Sequence, residues 1–169
     1  MCIKMKFIIV DNDQLAGEIE RLALEIWTEH YTPIIGEAQV AFMLNRFQTA
    51  EAVMHQIQEE GYQYYFLQDS NQRFAGYLAF VLKDGSVFIS KFYVLAEYRG
   101  QGYGRAACCF IEDAARAHGA SRLFLTVNKN NSRSIAVYER LGFRIAEPVC
   151  VDIGGGFVMD DYRMEKKID

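Results

Sequence analysis

Residues 62 to 94 narrow most what this chain can fold into, because three β-rich runs, YQYYFL, FAGYLAFVL and VFISKFYV, follow one another joined by DSNQR and KDGS. Aromatic and β-branched side chains suit a pleated, half-buried surface. Connections this short can join only antiparallel neighbours. Asp84-Gly85 is a strong hairpin signal, since both residues tolerate the positive φ of a tight turn. The three runs predict an antiparallel meander.

The flanking patterns supply the other elements. Residues 3 to 10 (IKMKFIIV) read as a strand. Leu15, Ile19, Leu22 and Ile26 recur at helical spacing, which predicts an amphipathic helix to about His30, with Tyr31-Thr32-Pro33 expected to break it. Two shorter helical patterns carry Val40, Leu44 and Phe47, then Val53, Met54 and Ile57, and Gly61 ends the second. After the meander, LAEYRGQGYG leads into an apolar helix from about Gly102 to His118, closed by Gly119. The strand SRLFLTV follows, then a helix capped by Asn131 and stopped at Gly142. FRIAEPVCVDI and FVMDDYRMEKK flank Gly154-Gly155-Gly156 as a final hairpin. The order is α/β (α+β), with about seven strands and four or five helices. Without a Pro/Ser-rich linker, a repeat or more than two prolines, residues 1–169 read as a single domain.

A chain of 169 residues, 51% of them apolar, buries roughly 70% of its extended surface and needs no staple. Cys2, Cys108, Cys109 and Cys150 form no CxxC pair and have no histidine at ligand spacing, so reduced thiols in a cytosolic protein are expected, with Cys108 and Cys109 as buried structural thiols in a helix. The start MCIKMKFIIVDND offers only four apolar residues before Asp11, short of a leader's hydrophobic region, and the run from Tyr77 to Leu82 cannot span a bilayer. No membrane association is expected.

Charge is distributed unevenly. The net charge is −4, yet Arg99 to Arg144 holds eight basic and three acidic residues and is +5, leaving −9 elsewhere. Such a segment suits one bounded polyanion better than a long nucleic acid; a solvated helix face accounts for it equally well. Within it, Arg99-Gly100-Gln101-Gly102-Tyr103-Gly104 joins a strand to a helix, where free amides and a helix N-terminus can hold phosphate oxygens. Arg99 and Arg105 flank this loop. Gly102, Gly104 and Ala107 formally fit the dinucleotide fingerprint, but three meander strands precede the loop and the acidic residue expected after the next strand is absent. No Gly-Lys-Ser/Thr follows, which excludes a Walker loop.

Two spaced motifs carry a resemblance. Arg99, Gly102 and Gly104 in YVLAEYRGQGYG match Arg/Gln-x-x-Gly-x-Gly/Ala, and Asn131, Tyr138, Gly142 and Phe143 in NSRSIAVYERLGF match Asn-x6-Tyr-x3-Gly-Phe. At this separation the chain resembles the GNAT superfamily of acyl-CoA-dependent N-acyltransferases. WTEHYTPIIGEAQVAFML and GGGFVMDDYRMEK are more loosely similar to bacterial polyamine acetyltransferases. The resemblance implies a single mixed, mostly antiparallel sheet and acetyl-CoA as co-substrate. Phe92, Tyr93 and Val94 would splay from LFLTV and pair with the pantetheine arm. The amides of Gly100, Gln101, Gly102, Tyr103, Gly104 and Arg105 would hold the CoA pyrophosphate, with Asn131 and Ser134 lining the pantetheine channel. It further implies direct transfer of an acetyl group to a primary amine in a ternary complex, in the cytoplasm, with no metal. Homodimers are common in the resembled family, and no interface is legible in this sequence.

Tyr138 is the acid that this resemblance assigns to the departing thiolate; a phenol near pKa 10 keeps its proton at neutral pH and can donate it. A core tyrosine between Ile135 and Leu141 is the alternative. The base is not legible, because VFISKFYV carries no carboxylate. Asp160 and Asp161 could relay a proton or attract a cationic amine, or form a solvated hairpin edge. Trp27 and Tyr31, with Tyr64 and Tyr65, could wall an acceptor pocket or fill the core. His30, His55 and His118 read as surface or capping residues. Two other functions stay open: a silent acyl-CoA sensor, and an acetyltransferase of protein N-termini or lysines.

Overall fold

The computed structural model describes residues 4–169; Cys2 and Ile3, the latter in the expected first strand, lie outside the described residues. In chain order the elements are β1 (Lys6–Ile9), α1 (Asp13–Ile35), α2 (Glu37–Phe47), α3 (Ala50–Glu59), β2 (Gln63–Gln68), β3 (Phe74–Lys83) and β4 (Ser86–Val94). One 3-10 turn (Ala96–Tyr98) then leads to α4 (Tyr103–Ala117), β5 (Arg122–Asn128), α5 (Ser132–Arg140), β6 (Arg144–Gly154) and β7 (Phe157–Lys167). The seven strands make one sheet in the order β1-β2-β3-β4-β5-β7-β6. Among the described residues only the β4–β5 pairing is parallel. The meander stands as the sequence predicts, and the last hairpin inserts β7 between β5 and β6.

α1 departs from expectation. It starts where Asn12 accepts from the Leu15 amide at 3.0 Å, and it runs through Tyr31-Thr32-Pro33 to Ile35. Pro33 removes one helical N–H, the donor to Glu29. So close to the helix end little else is lost, and the Gly36 amide closes the turn on the Thr32 carbonyl at 3.0 Å. The extra turn begins at Tyr31, whose hydroxyl meets that of Tyr93 on β4.

The sheet has a core on each face. Leu78, Phe80, Ile89, Leu123 and Met164 pack with Ile111 of α4. Tyr64, Phe66 and Tyr77 pack with Ile19, Leu22 and Trp27 of α1, beside Val40 of α2 and Val53 of α3. Seven consecutive residues of β3, Ala75 to Val81, are buried, the mark of a strand covered on both sides. Gly76 permits the close approach of β3 and β4, since a Cβ there would fall on the Tyr93 carbonyl oxygen.

The element that positions the site is a fork in this sheet. β4 and β5 pair only through Ser86–Arg122, Val87–Leu123 and Phe88–Phe124. On the other side of β4 the register jumps from Ala79–Lys91 to Phe80–Ile89, so Ser90 is an extra residue. A bulge bends its strand and raises its twist. From Ser90 onward β4 diverges from β5, and a cleft opens between them.

Candidate active site

The cleft holds about 450 Å³. β4 supplies Phe92, Tyr93 and Val94, β5 supplies Leu125, Thr126 and Val127, α5 supplies Asn131, Ser134 and Tyr138, and α1 supplies Ile26, His30 and Tyr31. Gly100, Gly102, Tyr103, Gly104 and Arg105 close one end.

That end has the features an anion site needs. Gly102 is the N-cap of α4 at φ 90°, with no side-chain cap bond, in the left-handed region that glycine enters without a Cβ penalty. Among the described residues, none of the amides from residue 100 to 105 has a protein acceptor. A helix start with bare donors and a partial positive charge suits phosphate oxygens, and Arg105, Arg133 and Arg140 also line the cleft.

Two expected contributors here act differently. The Arg99 guanidinium is committed elsewhere: Nε donates to the Val94 carbonyl at 2.9 Å and the terminal nitrogens grip Glu29 at 3.3 and 3.0 Å. Its partner carboxyl is held below the usual range by that hydrogen bond. Arg99 therefore ties the end of β4 to α1. Gln101 turns its side chain to the Glu97 carbonyl at 2.6 Å and is not part of the cleft wall, so only its amide is available.

α5 brings the second motif in. Asn131 caps it through Oδ1, which accepts from the Ser134 amide at 3.2 Å, and Gly142 terminates it at φ 95°. Tyr138 lies edge-on to Phe92 and Phe143, with centroids 6.0 and 5.9 Å away. Burial raises its pKa, so the phenol keeps its proton at neutral pH, and among the described residues its hydroxyl has no hydrogen-bond partner. Packing and exposure to the cleft coexist in this one side chain.

On the α1 side the Tyr31 and Tyr93 hydroxyls are 3.1 Å apart, and burial pushes the Tyr31 phenol up to about 12. Trp27, 2% exposed, sits behind them as core and does not line the cleft. Tyr64 is buried in a chain with Gln48 and Gln56, and Tyr65 packs on Phe80 and Phe110 on the other face; neither walls the cleft. The aspartates divide. Asp160 pairs with Lys129 at 2.5 Å on the surface. Asp161, 5% exposed, lies behind the wall; burial lifts its carboxyl to about 6 against a hydrogen bond from Thr126, and its charge is felt by Tyr31.

His30 corrects another expectation. It lines the cleft and its Nε2 meets Asn131 Nδ2 at 3.0 Å. Its signal is the four-residue step from Ile26, which puts both on one face of α1. Cys109 is exposed, unlike Cys108, whose thiol burial pushes up to about 12.

Residues 18–143 match the model of the Acetyltransferase (GNAT) family. The chain belongs to this family. Acetyl-CoA is the co-substrate of GNAT enzymes, and the bare amides, positive-φ glycines and arginines of the cleft fit its phosphates. Spermine/spermidine N(1)-acetyltransferase of Bacillus subtilis (strain 168) is 30% identical over 63 residues, 37% of this chain and 41% of that protein. Mycothiol acetyltransferase of Corynebacterium glutamicum (strain R) is 36% identical over 69 residues, 39% of this chain and 24% of that protein. The chain thus spans less than half the length of these curated relatives. The PaiA N-acetyltransferase of Thermoplasma acidophilum, solved in complex with coenzyme A, superposes with a TM-score of 0.79 at 17% identity over 99% of this chain and 100% of that one. The fold is therefore the GNAT fold along the whole chain. No helix among the described residues is long and apolar enough to cross a membrane.

Proposed function

We propose that this GNAT chain transfers the acetyl group of acetyl-CoA to a primary amine by direct attack in a ternary complex. The observation that carries this reading is the β4–β5 fork, which gathers bare amides at one end and an unpartnered phenol beside its wall.

Among the described residues no strand lies beside the inner edge of β4 beyond Phe88, so the pantetheine arm pairs there as an added strand would. Amides 100 to 105 hold the pyrophosphate, and Asn131 and Ser134 line the arm's path. An N–H of Phe92, Tyr93 or Val94 polarises the thioester carbonyl as charge develops on oxygen. Tyr138 donates its proton to the departing thiolate. Burial keeps the phenol protonated at neutral pH, ready to donate.

The acceptor enters from the α1 side, between Tyr31 and Tyr93, where Asp161 supplies a buried negative charge above about pH 6. This favours a small cationic amine, and the similarity to a spermine/spermidine acetyltransferase supports placing polyamines first in any screen. Free Cys108, Cys109 and Cys150 support a reducing, cytoplasmic setting.

The test is a panel of polyamines, amino acids, aminoglycosides and peptides with free N-termini, each incubated with acetyl-CoA while thiol release is followed. Turnover of small cationic amines is expected; turnover confined to peptides would overturn the small-molecule reading.

A further inference from the structure

β4 carries no carboxylate, so the proton lost by the attacking nitrogen needs another destination. The bulge offers one. Ser90 lines the cleft at the point where β4 leaves β5, and the Lys91 amine lies 2.6 Å from its Oγ and 3.4 Å from its carbonyl oxygen. Both contacts of the lysine are thus with its own neighbour, on the bulge. We propose that Ser90 and Lys91 form the proton-accepting relay of the transfer reaction. This rests on the acetyltransferase reading above.

The step balances without a co-reactant. The nitrogen lone pair forms the C–N bond, the acceptor N–H proton passes to Ser90 Oγ, and the Ser90 O–H proton passes to Lys91 Nζ. The C–S bond then breaks and the thiolate takes the Tyr138 proton. For this, Lys91 must be neutral part of the time, which an ordinary lysine at pH 7 almost never is. Its amine end is enclosed, and desolvation lowers it to about 8, with Glu60 opposing from just beyond α3. Of the groups packed nearby, Tyr62 before β2 is raised by burial and stays protonated, while Ala79, opposite on β3, is apolar. A lysine with a lowered pKa is an apt base near neutral pH.

Asp161 is the competing base, across the fork against Thr126. It ionises near pH 6, so a relay through it and one through Lys91 leave different pH profiles.

The experiment compares Lys91→Met and Ser90→Ala with the parent protein, measuring kcat/KM against pH on the best alkylamine found, acetyl-CoA affinity by calorimetry and melting temperature. The relay predicts that both variants fold and bind acetyl-CoA normally but lose roughly 10²-fold in kcat/KM, the scale of a positioned base. Wild type should show a limb near pH 8 that Lys91→Met lacks, leaving only the amine's own ionisation. If Lys91→Met unfolds, Ser90→Ala alone decides by the same criteria. A wild-type rate and profile in a folded variant would overturn the relay while leaving the acetyltransferase intact. Absence of turnover by the parent protein on every amine would overturn both.

Discussion

Asn131 Nδ2 donates to His30 Nε2 at 3.0 Å, joining the N-cap of α5 to α1 across the mouth of the cleft. The amide orientation follows from the cap, because Oδ1 is occupied by the Ser134 N–H. Nε2 is therefore unprotonated and Nδ1 carries the hydrogen. Burial and the Arg99 charge hold the imidazole below its ordinary value, so it is neutral at physiological pH. Glu29, one residue earlier, grips Arg99 on the opposite rim. The last turns of α1 are thus fastened to both motifs.

His30→Ala should remove the acceptor and leave the α5 cap, at a cost of about 1 kcal/mol. The histidine's folded pKa lies below 6.5, so the unfolded chain takes up the proton first and the contribution falls as pH drops through that window. Denaturant melts between pH 5 and 8 should show wild type and His30→Ala converging on acidification; a constant gap would contradict the assigned tautomer.

Gly102→Leu tests the anion end. At φ 90° a side chain costs about 1–2 kcal/mol of backbone strain and crowds the bare amides. Acetyl-CoA affinity in calorimetry should fall more than tenfold with the circular dichroism unchanged; an unaltered affinity would remove the loop from the site.

Asp161→Asn should stabilise the protein at the expense of its acceptor. The carboxyl titrates at about 6 when folded against an ordinary 3.8, so between these values the native state binds the extra proton and stability falls as pH rises. At pH 7.5 the asparagine variant should be more stable by about 3 kcal/mol, a gap closing by pH 4. KM for cationic amines should rise over the same pH range in which the gap opens. Equal melting temperatures at pH 7.5 would contradict a buried, unpaired charge.

Much of the fold was legible because its signals are local: tight turns between aromatic runs, a glycine after each of three helices, a cap at Asn131. What failed depends on distant partners. Pro33 reads as a stop, yet near a helix end it forfeits a single bond. Asp160 and Asp161 are indistinguishable in sequence, but neighbours on a strand face opposite sides, and one meets Lys129 while the other is buried. Arg99 sits in the motif, although its guanidinium answers to Glu29, 70 residues away. The bulge at Ser90 exists only in the pairing with β3, and no run of residues announces it.

If Tyr138 completes acetyl transfer across the fork, steady-state thiol release with Tyr138→Phe will show it. Packing against Phe92 and Phe143 survives that change, so melting temperature and acetyl-CoA affinity should hold. Because the lost interaction forms mainly in the transition state, kcat and kcat/KM should fall together by roughly 10²-fold or more, with KM nearly constant. A well-folded Tyr138→Phe protein turning over at the wild-type kcat would contradict the account.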